Sequence, residues 1–395
     1  MIRLDSSRMR HEPGAASGGD AFRTVLKPDD FAAAVAEIGA WPGYAPTPLH
    51  RLDALAGVLG IAGVLYKDEG PRFGLGSFKA LGGAYAAARL LARELTRRLG
   101  RALTPADLRS GALASETAKI TLASATDGNH GRSLAWGARM FGAPCRIYVH
   151  RDVSPGRIAA MEGFGATVTV VDGDYDASVR RTREDAEANG WFVVSDTSWE
   201  GYTDPPRDVM AGYGAMTHEI AAALDTPPSH VFLQGGVGGL AASVAAAMRQ
   251  LWGADAPRVV IVEPDLAPCL FESARAGAAT PVAIHEETVM AGLSCGEPSA
   301  LAWDILAEEA RDFVAIPDDF VAPVMRLLAR PQSGDPAIAA GESAVAGLAA
   351  LIAAASGEGW RDMLGLDARS VVLVIGSEGV TDPAIYDRIM AGAAR

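Results

Sequence analysis

From Ile120 to the C-terminus, short β-favouring runs alternate with stretches whose apolar residues recur at helical spacing, and this alternation limits the fold more than any other feature. ITLASAT (Ile120 to Thr126) leads into DGNHGRSLAWGARMFG; CRIYVH, TVTVV and WFVVSD follow, separated by helices around RIAAMEGFG and SVRRTREDAEANG. A second series opens at GYGAMTHEIAAAL and runs through VFLQ, the helix after GGVGG, RVVIVEP and, after a longer mixed region, SVVLVIGSEG. The pattern predicts an α/β protein with open, mostly parallel sheets and helices on both faces. Two series imply two domains with a cleft, where such sheets bind ligands at the carboxyl ends of their strands. The expected division is a discontinuous large domain, residues 1–85 and 195–395, and a small α/β domain, 86–194, that carries the loop ATDGNHG.

Upstream of the alternation, GVLYKDE (Gly63 to Glu69) reads as a strand ending in the glycine-rich turn of KDEGPRFGLGSFKALGGAYA, and a helix runs from Lys79 to about Leu99. Lys79 is oddly placed there, because the positive end of the helix macrodipole disfavours a cation. It is either a solvated surface lysine or a desolvated amine held for Schiff-base chemistry. Two later turns bear on the choice. VFLQGGVGGLAASVAAAM (Val231 to Met248) is strand, glycine turn and helix, so backbone N–H groups can converge on a phosphate. Gly236, Gly238 and Ala241 also fit G-x-G-x-x-A, with Glu263 closing a later strand, so a dinucleotide site is an alternative. In ATDGNHG (Ala125 to Gly131), Asn129 can hydrogen-bond a ring hydroxyl or a carboxylate. Asp127 is either a helix N-cap or a carboxylate facing the ligand. Asp196, in SDTSWEGY, is a turn-former or a second acid. His130 is given no role.

A formal charge of −13 points away from nucleic acid and anionic membranes and towards a small-molecule ligand. Three cysteines, Cys145, Cys269 and Cys295, are too few for a disulfide scaffold and none has metal-ligand spacing; Cys269 and Cys295 could meet in the fold. The N-terminal lead-in has no apolar signal-peptide core, so the protein is expected in the cytoplasm. AIAAGESAVAGLAALIAAAS (Ala337 to Ser356) reads as a buried core helix rather than a membrane span.

Taken together, GSFKALGG, ATDGNHG, QGGVGGLA and the late GSEG resemble pyridoxal-phosphate (PLP) enzymes of the tryptophan synthase β-subunit-like fold, the group that includes serine and threonine dehydratases. PRFGLGSFK, Asp127 in place of the dehydratases' usual serine, DTSWEGY and SEGVTDP resemble the diaminopropionate ammonia-lyase family within it. The resemblance implies that Lys79, beside Phe78, holds PLP as a Schiff base and that Asn129 bonds the ring oxygen. Gly235, Gly236, Val237, Gly238 and Gly239 would hold the phosphate, and Ser377 would stand beside the pyridine nitrogen. It further implies a homodimer that eliminates ammonia from 2,3-diaminopropionate, D or L or both, to give pyruvate. Lys79 and Asp127 would be bases on opposite faces of the cofactor, and Asp196 would also reach the active site. The alternative within the same fold is a dehydratase or a lyase for another β-substituted amino acid.

Overall fold

The computed structural model describes residues 2, 4–15, 18–126, 128–331 and 334–392. In chain order the strands are β1 (Arg10–Pro13), β2 (Leu49–Arg51), β3 (Gly63–Asp68), β4 (Leu122–Ala125), β5 (Cys145–His150), β6 (Thr167–Val171), β7 (Phe192–Val193), β8 (His230–Gln234), β9 (Arg258–Pro264), β10 (Ala310–Ile316) and β11 (Val371–Gly376). They form two sheets. One has seven strands in the order β1-β10-β9-β8-β11-β3-β2, and the other has four in the order β6-β5-β4-β7. Every pairing is parallel except those of β1 with β10 and β2 with β3, at the two edges of the larger sheet. The mostly parallel α/β architecture is therefore as the alternation predicts.

The chain divides into two compact units, one of residues 1–28, 46–77 and 216–395, the other of residues 29–45 and 78–215. In the first, β8, β9 and β11 are apolar almost throughout and buried, as expected of parallel strands covered on both faces. Helix Ala346–Ser356 is buried along nearly its whole length. It starts later than the apolar run suggests, because residues 337–342 pair their backbone elsewhere: Gly341 N–H donates to Glu378 O at 3.1 Å. A Cβ on Gly341 would stand 2.6 Å from Gly379 O, so this stretch passes too close to a neighbouring turn to coil.

In the second unit, helix Lys79–Leu99 packs on helix Asn129–Phe141 through small residues. A Cβ on Gly137 would lie 2.6 Å from the Ala84 Cα, and Ala84 N–H donates to Ser133 Oγ at 3.1 Å. The boundaries differ from those expected. Residue 85 lies inside the Lys79 helix, which belongs to the second unit from Phe78 onward, and that unit runs on to residue 215. Residues 29–45 join it because Phe31 fills the space over Gly214, where a Cβ would come within 2.1 Å of the ring, and because Trp41 stacks edge-on against Trp136 at 5.6 Å. Among the described residues no helix is long and apolar enough to cross a membrane, and no group of three or more His, Cys, Asp or Glu is placed to hold a metal ion.

Candidate active site

In the second unit the site centres on Lys79, the first residue of its helix. Its Nζ donates to Asp196 Oδ2 at 2.5 Å, and both side chains are mostly buried. Asp196 follows β7, and the chain there is fixed by Tyr202, whose hydroxyl accepts from Ser195 N–H and donates to Val193 O, each at 2.9 Å. Trp199 stacks on Tyr202, with ring centroids 4.1 Å apart. Burial pushes the Asp196 carboxyl up, but Lys79 and then His130 outweigh it and hold the carboxyl well below the usual range. Asp196 is therefore a charged acid beside the amine and not merely a turn-former.

Three further side chains close on this pair. The Lys79 ammonium lies 5.5 Å and 5.9 Å from the ring centroids of Phe78 and Tyr213, which pack on each other at 4.7 Å. Gly82 makes room for Tyr213, since a Cβ there would lie 2.4 Å from the ring. Tyr213 Oη is buried and has no hydrogen-bond partner among the described residues. His130 is buried, with Nε2 2.9 Å from Val194 O. A carbonyl can only accept, so Nε2 carries a proton. Nδ1 has no hydrogen-bond partner among the described residues and stands 3.9 Å from Asp196 Oδ2. No motif singles out Tyr213; His130 adjoins Asn129, a position whose only signal is its neighbour.

Asn129 opens helix Asn129–Phe141. Thr126 shapes the turn before it, its hydroxyl accepting from Gly128 N–H and Gly131 N–H at 3.1 Å each. Asp127 lies outside the described residues.

In the first unit, the turn Gly235–Gly239 joins β8 to helix Gly239–Trp252. Gly236 and Gly238 adopt φ of +61° and +95°, which only glycine takes at little cost. Gly235 is required by proximity, because its Cβ would lie 2.4 Å from Glu263 Cγ. The N–H groups of Gly236, Val237 and Gly239 have no acceptor among the described residues, although those of Gly235 and Gly238 are bonded to Val262 O and Gly235 O. Bare amides at the head of a 14-residue helix are the donor set that a phosphate needs. Glu263 does not offer itself to a ribose. It is buried, accepts from Leu270 N–H and Phe271 N–H at 3.0 Å and 2.7 Å, and is pushed by burial up to about 8. The dinucleotide alternative loses its acidic residue.

Ser377 follows β11 and is buried. Gln234, the last residue of β8, is 3.5 Å from its hydroxyl through Nε2, which also donates to Ile375 O at 2.5 Å and Ala344 O at 3.1 Å. Gln234 Oε1 is buried with no partner among the described residues. Cys269 and Cys295 both approach the glycine turn: Cys269 Sγ contacts Gly236 O at 3.4 Å, and Cys295 Sγ would lie 3.6 Å from a Cβ on Gly236. Both are free thiols. In the first unit the bare amides and the neutral hydroxyl are groups of the kind that suit the phosphate and ring nitrogen of PLP, and in the second the primary amine is of the kind that suits its reactive carbon.

Residues 40–376 match the family model described as pyridoxal-phosphate dependent enzyme. The chain is 39% identical over 354 residues to the diaminopropionate ammonia-lyase of Escherichia coli K12, covering 88% of each protein. The corresponding protein of Salmonella typhimurium is 36% identical over 359 residues, covering 88% of this chain and 89% of that one. The crystal structure of the Escherichia coli diaminopropionate ammonia lyase in complex with D-serine superposes with a TM-score of 0.88 at 36% identity, covering 98% of both chains. The chain belongs to the pyridoxal-phosphate-dependent enzymes and, among them, to the diaminopropionate ammonia-lyase family.

Proposed function

We infer that the protein is a PLP-dependent carbon–nitrogen lyase that eliminates ammonia from 2,3-diaminopropionate, leaving pyruvate and a second ammonia. The observation that carries this reading is the charged Asp196 beside Lys79. The substrate has a β-ammonium where a hydroxy amino acid has a neutral hydroxyl, and a carboxylate at this point binds that extra charge. Bound PLP supplies the electron sink that acidifies the substrate Cα–H and lets the β-amino group depart.

In this reading Lys79 anchors the cofactor, with Phe78 against its amine, and Asn129 bonds the ring oxygen. The turn Gly235, Gly236, Val237, Gly238 and Gly239 holds the phosphate, through the bare amides of Gly236, Val237 and Gly239, and Ser377 bonds the pyridine nitrogen as a neutral partner. Once substrate displaces it, the Lys79 amine takes the Cα proton of one enantiomer. Asp127 takes the proton of the other from the opposite face. Asp196 keeps the β-amine protonated and placed until it leaves. We also propose that the enzyme acts as a cytoplasmic homodimer in amino acid catabolism.

The test is pyruvate release from D- and L-diaminopropionate, with serine and threonine alongside. The reading predicts turnover of diaminopropionate, and an Asp127→Asn variant that loses the D isomer by about a hundredfold or more while keeping the L isomer, on the scale of a general base. Turnover confined to the hydroxy amino acids would contradict it.

A further inference from the structure

Past β7 the chain leaves its sheet, and an aromatic side chain takes over the next pairing. Val194 N–H still donates to Ala123 O at 2.8 Å, but Ser195 lies beyond the strand. Its N–H donates instead to the Tyr202 hydroxyl, which in turn donates to Val193 O, each bond 2.9 Å long. Burial keeps that phenol protonated, as a bond to a carbonyl requires. Asp196 is the next residue along, so the aim of its carboxylate depends on where Tyr202 is held.

Tyr202 is held by a turn and a stack. Trp199 N–H donates to Tyr202 O at 3.3 Å and Tyr202 N–H donates to Trp199 O at 2.9 Å, with Gly201 in the turn at φ +79°. The closure lays the two rings nearly parallel, tilted by 10° with centroids 4.1 Å apart. Arg183, exposed on helix Tyr175–Asn189, adds a third layer, its guanidinium 4.0 Å from the Trp199 centroid. The stack therefore runs from a surface arginine to a phenol that grips the backbone on both sides of Val194.

We propose that Tyr202 and Trp199, with Arg183 behind them, are positioning residues that aim Asp196 at the substrate's β-ammonium. A carboxylate on a loop with one anchor fewer keeps its charge but loses its direction. Where geometry is critical, a misplacement of about 1 Å costs up to about a hundredfold. The inference rests on the reading that Asp196 receives the β-ammonium.

The test is a double-mutant cycle on the PLP-loaded enzyme. kcat/KM for diaminopropionate is measured for wild type, Tyr202→Phe, Asp196→Asn and the double variant, with the cofactor band recorded for each. Tyr202→Phe should lose about tenfold or more with its band intact, and should add less than about twofold to the loss in Asp196→Asn, because it acts only through that carboxylate. Trp199→Leu should also lose activity, Trp199→Phe should restore most of it by restoring the stack, and Arg183→Gln should lose about two- to fivefold. Should Tyr202→Phe not load PLP, or the double variant be too slow to assay, the comparison of Trp199→Phe with Trp199→Leu decides. Equal losses from Tyr202→Phe in both backgrounds, or Trp199→Phe no better than Trp199→Leu, overturn the inference and leave the reading of Asp196 intact. Full diaminopropionate turnover by Asp196→Asn overturns both.

Discussion

Lys67 and Lys79 both leave bulk water and both meet a carboxylate, but their surroundings are built differently. Lys67, on β3, is almost wholly buried; its Nζ donates to Glu219 Oε2 at 2.6 Å and to Thr47 O at 2.8 Å. Glu219 also accepts from Arg72 at 2.7 Å and 2.8 Å, and Arg72 donates to Glu69 at 2.8 Å and 2.7 Å. Two cations thus meet two anions. Burial pushes the Glu219 carboxyl up, but Arg72 and Lys67 outweigh it and hold it below the ordinary range. Around Lys79 the pairing is incomplete: among the described residues His130 Nδ1 and Tyr213 Oη have no hydrogen-bond partner beside the Lys79–Asp196 pair. A saturated network has nothing left to offer a ligand and acts as structure. The unsaturated one has groups held ready for a ligand, and that difference, rather than burial, sets apart the lysine that we propose holds the cofactor.

The largest effect that separates the two lysines is on turnover. Lys79→Ala should lose activity by about a thousandfold or more, as removal of a nucleophile and base does. Its visible cofactor band should vanish while its melting temperature falls less than that of Lys67→Met. That second variant strands Glu219 with one cation fewer in a buried network and should cost about 3 kcal/mol. Denaturant unfolding would show it, and the cofactor band should persist. Reversal of these two outcomes would erase the distinction.

Gly235→Ala sharpens it from the phosphate side. Its Cβ would press on Glu263 at 2.4 Å, so about 1–3 kcal/mol of overpacking is expected, with weaker PLP binding by titration. The smallest effect concerns Glu263 itself. Its folded pKa, about 8, lies above the ordinary 4.5, so the native state favours the protonated form. That contribution is fully present below pH 4.5 and is lost as pH rises through about 8. Thermal melts across this window should show Glu263→Gln gaining on wild type as pH rises; a constant gap would mean that the carboxyl titrates normally.

Elements set by local sequence were legible. The Lys79 helix spans Lys79–Leu99, and the glycine turn after β8 sits where backbone amides are left bare. The parallel sheets follow from the alternation. What is not local was not legible. Asp196 reaches Lys79 across 117 residues, and nothing in either segment names the partner. His130 and Tyr213 join the site only through packing, Tyr213 because Gly82 leaves room for its ring. The Lys67 network is also assembled from distant residues, Thr47, Glu69, Arg72 and Glu219. The boundary error has the same origin, since Phe31 and Trp41 tie residues 29–45 to helices more than a hundred positions away in part, a contact that periodicity cannot show.

The most direct measurement is chemical. Reduction of the PLP-loaded protein with borohydride fixes the cofactor to the lysine that holds it, and peptide mass mapping then reads the position. The account predicts the added mass on the peptide containing Lys79 and none on Lys67. Label on Lys67, on any other lysine, or on none would contradict it.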